Sequence, residues 1–139
     1  MMNWLKGQKT VTLKFYSLEE IAELLRDEGY RKVEMTDFFG TEMVRVSIDG
    51  RKILIGQEDN GDLQLMEILT GVPNSSEAMN EINVNVRGLK DHQNELLTFL
   101  SITLFVVEGY GISKEHILQM LKTFLGCCGA AGRILIKYA

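Results

Sequence analysis

Two adjacent cysteines, Cys127 and Cys128, and two histidines, His92 and His116, offer the most reactive side chains of this sequence. Neighbouring thiols can close a strained disulfide or supply two metal ligands. A tetrahedral site needs two further sulfur or imidazole ligands, and no Cys-x-x-Cys or nearby histidine pair supplies them. The pair therefore reads as inert or buried thiols. His116 falls in the first turn of a predicted helix and His92 in a turn. Neither has a serine, cysteine or carboxylate at a spacing that suggests acid–base or nucleophilic work. Gly126, Gly129 and Gly132 recur as in phosphate-cradling loops, but such loops follow a strand and open a helix. Here the glycines follow a helix and read as its stop and a flexible link. Glu58-Asp59-Asn60-Gly61-Asp62 is rich in oxygen ligands, yet the twelve-position spacing of a calcium loop is absent and a hairpin turn is expected. No catalytic, cofactor-binding or metal-binding residue is assigned.

The elements that position these residues follow from periodicity. Ser17 and Glu20 stand in capping-box relation ahead of an apolar stripe of Leu18, Ile21, Ala22, Leu24 and Leu25, with Gly29 past the end. The period then falls to two through Val33 and Met35, residues 43–48, residues 51–55 and residues 63–69. Asp49-Gly50 between β-branched runs marks a hairpin, and the whole reads as a meander of four strands. Asn74 and Glu77 open a second helix with Ala78, Met79, Ile82 and Val86 inward. A third starts at Ser113, carries Ile117, Leu121 and Phe124, and is expected to end at Gly126.

Residues 96–107 fit a helix or a strand; β-branched content and flanking Gly109 and Gly111 favour a strand. Its faces would hold Leu96, Leu100, Ile102 and Leu104 on one side and Leu97, Phe99, Phe105 and Val107 on the other. Both are apolar, so both sides need a cover. A second subunit or bound polypeptide is one candidate, and a sandwich of helices from the same chain is the other. The expected fold class is α+β: an antiparallel sheet, a meander of short strands plus a later hairpin, packed with three helices. Residues 1–139 form one domain, with an N-terminal arm over 1–16 and a C-terminal tail or edge strand over 126–139.

Composition narrows the partners. A net charge of −4 argues against nucleic acid, and 45% apolar residues argue against disorder. The start has no apolar run of signal-peptide length, and the longest apolar stretch is too short to cross a bilayer as a helix. A soluble, cytoplasmic protein is expected. Lys6, Lys9 and Lys14 precede the first helix with no acid among them, whereas that helix carries Glu19, Glu20, Glu23, Asp27 and Glu28. This reads as a solvated acidic face beside a basic leader, or as pairing between the two.

The order helix, meander, helix, two strands, helix resembles the YbjN family of bacterial proteins, whose fold is similar to that of type III secretion chaperones. The likeness rests on Ser17-Leu18-Glu19-Glu20-Ile21-Ala22-Glu23-Leu24-Leu25 with Gly29-Tyr30, on Ile82-Asn83 with Arg87, and on Gly111-Ile112-Ser113-Lys114-Glu115-His116-Ile117. It covers about residues 16–126. The sequence departs from the family at Asn85-Val86 and at the turn over 91–95. The resemblance implies a compact, often dimeric domain without known catalysis, described as a stress or sensory-transduction regulator, and a chaperone-like way of holding clients. The expectation is a non-enzymatic protein-binding module acting as a homodimer on a protein client or regulatory partner. Phe38 and Phe39 at a hairpin tip, Phe99 and Phe105 are its candidate anchors, and Trp4 of the arm is weighed with them. A small-ligand sensor with a pocket between sheet and helices is the alternative reading, and an enzyme of unknown class the third.

Overall fold

The computed structural model describes residues 12–94, 97–106 and 109–139. Residues 1–11 of the expected arm, with Trp4, lie outside them, as do Leu96 and Val107. A short strand β1 (Leu13–Lys14) leads into helix α1 (Leu18–Asp27). The capping box forms: Ser17 Oγ accepts from the Glu20 amide and the Glu20 carboxylate accepts from the Ser17 amide, each at 3.1 Å. The meander follows as β2 (Val33–Phe38), β3 (Thr41–Ile48), β4 (Arg51–Gln57) and β5 (Leu63–Thr70). Asp49 and Gly50 both take positive φ, 50° and 79°, as a two-residue turn between twisted strands requires.

Helix α2 (Ser76–Asn85), strands β6 (Lys90–Gln93), β7 (Leu97–Leu104) and β8 (Ile112–Ser113), and helix α3 (Lys114–Lys137) complete the chain. The main sheet has six strands in the order β2-β3-β4-β5-β7-β6, every neighbouring pair antiparallel, and β1 pairs with β8 in a second, small sheet. The fold is α+β, as the period of the sequence indicates. The N-cap of α2 is Ser75, one residue after the expected Asn74, with its hydroxyl accepting from the Ala78 amide at 3.1 Å.

The C-terminal expectation is corrected. Residues 126–137 are neither tail nor edge strand: α3 runs through Gly126, Gly129 and Gly132 to Lys137. Each glycine costs a helix about 1 kcal/mol. Cys128, Ala131, Ile134 and Leu135, all buried, extend the apolar stripe of Ile117, Leu121 and Phe124. That packing holds the helix where local propensity would end it.

The helices share one side of the main sheet. Ile21 and Leu25 of α1, Ala78 and Ile82 of α2, and Leu121 and Phe124 of α3 form a single core with Val44, Val46, Ile53, Ile55, Leu65, Leu100 and Ile102. Along each strand these core residues alternate with residues of the opposite face. The sandwich of β7 between helices of its own chain is therefore overturned among the described residues.

Candidate functional site

The face of the main sheet away from the helices carries the most unusual surface. Register aligns Glu34, Arg45, Leu54, Met66, Ser101 and Lys90 in one row across the six strands. Ser47 and Lys52 pair next to that row, as do Ile68, Phe99 and His92. Met43, Leu54, Met66, Ile68, Leu97 and Phe99 thus form an apolar stripe, and none of them joins the core beneath the helices. Met43 and Leu54 are each only 9% exposed, so the stripe is flush with its surroundings rather than protruding. Gly56 shapes it: a Cβ there would lie 3.3 Å from Met43 Cε, so the methionine lies over the glycine backbone.

Cations border the stripe on both sides. Arg45 pairs with Glu34, the only carboxylate that the described strands place on this face. Lys52 and Lys90 form no ion pair among the described residues. Arg31 and Lys32 join Arg45, Ser47 and Lys52 around a shallow groove of about 460 Å³ at the β2–β4 end.

Of the four phenylalanines singled out from sequence, Phe99 lies on this face, its ring 6.0 Å from that of His92. Phe38 ends β2, edge-on to Phe39 at 4.6 Å between centroids. Phe39 occupies the turn with φ 50° and is 88% exposed. Phe105 follows the end of β7 and is 77% exposed. The four do not converge. Met43, Leu54, Met66 and Ile68 escaped notice, although Ile53-Leu54-Ile55 and Leu65-Met66 are apolar at both parities, which signals a strand with two apolar faces.

The reactive residues are accounted for structurally. Arg51 Nη1 donates to both oxygens of Glu67, at 2.8 and 3.0 Å, and Glu67 is 3% exposed. Cys128 is fully buried beside this pair; burial, then the Glu67 charge, pushes its thiol well above the usual range. A protonated, enclosed thiol is a poor nucleophile. His116 is exposed, and its backbone amide donates to Ser113 Oγ at 3.0 Å. The 58–62 segment is a turn in which Asp62 accepts from the Val106 amide at 2.8 Å. No group of three or more His, Cys, Asp or Glu residues capable of holding a metal forms among the described residues. Lys14 pairs with Glu20, and this raises the pKa of the lysine and lowers that of the glutamate. Leader and acidic helix do pair, within one chain. No helix among the described residues is long and apolar enough to cross a membrane.

No family model matches this chain, and no curated protein does. Its fold is similar to the crystal structure of an uncharacterized protein from Methanothermobacter thermautotrophicus, at 15% identity and a TM-score of 0.61, over 88% of this chain and 99% of that one. At that identity the likeness speaks for the fold alone.

Proposed function

We propose that the protein is a non-enzymatic protein-binding module, chaperone-like or regulatory, that holds a polypeptide on the open face of its main sheet. One observation carries this reading. All three described helices pack on one face, while the apolar stripe of the other, half-buried at Met66, Ile68, Leu97 and Phe99, is covered by no described helix. Contiguous apolar surface on a globular domain marks an interaction site. The resemblance to the YbjN family points the same way, and cytoplasmic residence and homodimerisation belong to the same proposal. In such a dimer this face stays free for the client.

Native mass spectrometry of the protein purified gently from its own cells tests this. A defined polypeptide should accompany the wild-type protein and be absent from a Phe99→Ala, Ile68→Ala variant. A bare protein in both preparations contradicts the reading. The small-ligand alternative has its own observation, the groove lined by Arg31, Lys32, Ser47 and Lys52. A small adduct of constant mass in place of a polypeptide would favour it.

A further inference from the structure

We infer that the occupant of the open face is an acidic amphipathic helix of another protein, its apolar stripe on the sheet and its carboxylates over the flanking cations. The inference rests on the protein-binding reading and adds the chemistry of the partner. Its first ground is width. The apolar residues stand on β4, β5 and β7, with Met43 on β3 beside them. Three neighbouring strands about 4.8 Å apart span about 10 Å, close to the diameter of one α-helix. Helices are also the element that covers the other face of this same sheet.

Charge complementarity is the second ground. The whole chain has a net charge of −4, yet the described strands place Arg45, Lys52 and Lys90 on this face against the single carboxylate Glu34. The cations lie on both sides of the stripe, where the flanks of a docked helix would project. Carboxylates there gain attraction, and lysines meet repulsion that excludes wrong partners.

The same pattern selects against other occupants. A second copy placed face to face about a two-fold axis would bring this cationic surface against itself. The leader over residues 1–11 carries Lys6 and Lys9 and no acid, so its charge matches no better. A lipid surface calls for apolar side chains that protrude and for clusters of about four to eight basic residues. Met43 and Leu54 are instead 9% exposed, and the sheet supplies Arg45, Lys52 and Lys90.

The test is selection of displayed random peptides of about 20 residues on the full chain, followed by binding of the enriched peptides to variants. Enriched sequences should be net acidic with apolar residues at helical spacing. A Lys52→Glu, Lys90→Glu double variant should weaken them about tenfold or more, as should raising salt from about 50 to about 500 mM. Both lysines are exposed and unpaired among the described residues, so this variant keeps the fold, checked by its unfolding midpoint. Enriched peptides that are neutral or basic, yet lost on Phe99→Ala, overturn the acidic-helix inference and leave the module reading standing. If binding is indifferent to Phe99→Ala and to the lysine changes alike, both fail. Sedimentation with vesicles of anionic and of neutral phospholipid is the control: anionic-selective binding lost in the lysine variant would assign the face to a membrane and overturn the peptide.

Discussion

The two faces of the main sheet are built from the same residue types and meet different neighbours. On the helix side Val44, Val46, Ile53, Ile55, Leu65 and Leu100 are essentially sealed. On the other side Met66, Ile68, Leu97 and Phe99 are only half-buried. Chain connectivity makes the difference. The meander places four strands side by side, and the helix before it and the two described helices after it all pack on one side of them. On the remaining side Met66, Ile68, Leu97 and Phe99 bury only part of their surface on folding, which leaves apolar area that a partner can cover.

That contrast can be broken at neighbouring residues. On β4, Ile55→Ala should cost about 3 kcal/mol in equilibrium unfolding, from lost transfer energy and a cavity. Met66→Ala, half-buried on the open side of the neighbouring strand β5, should cost about 1 kcal/mol. Similar losses at the two sites would erase the distinction.

The polar contacts repeat the asymmetry. Arg51→Ala should cost about 2 kcal/mol, measured by urea unfolding, because it strands the Glu67 carboxylate beneath α3; solvent reaching the partly exposed arginine side tempers the loss. Across the sheet, the exposed Arg45–Glu34 pair is expected to contribute less than about 1 kcal/mol in a double-mutant cycle. At the hairpin tip, Phe39→Asn should stabilise the fold by about 0.5 kcal/mol, since asparagine tolerates the left-handed backbone that phenylalanine is forced into.

The smallest expected effect depends on pH. Asp91 Oδ2 is buried with no hydrogen-bond partner among the described residues, and burial raises the pKa of its carboxyl above the ordinary 3.8. A carboxyl whose folded pKa exceeds its unfolded value opposes folding once it ionises. The penalty is absent below the unfolded value and grows as pH rises through the folded one. Asp91→Asn should therefore raise the thermal midpoint slightly at neutral pH and leave it unchanged near pH 2, well below the unfolded value.

Much of this architecture was legible in the sequence because local chemistry and tertiary packing agree. Ser17 with Glu20 caps α1, Asp49-Gly50 turns β3 into β4, and Ser113 caps α3, each through contacts within a few residues. Legibility failed where packing overrides propensity. Gly126, Gly129 and Gly132 read as a helix stop, but the buried Cys128, Ala131 and Ile134 carry the helix onward. The site was half legible. Phe99 was legible as a residue of the open face because it alternates with the core residues Leu100 and Ile102. Met66 and Ile68 were missed because an apolar strand residue looks the same whether a helix or a partner covers it. Phe105 failed as a face residue because β7 ends at Leu104.

The most direct test of the two-face account inserts a lysine at adjacent positions of the central strand β5. Leu65 points beneath the helices and Met66 into the open stripe. The account predicts that Leu65→Lys prevents folding, whereas Met66→Lys folds with a stability within about 1 kcal/mol of wild type and loses its bound polypeptide. Equal loss of folding in the two variants, measured by equilibrium unfolding, would contradict it, because the open face would then be sealed within the chain.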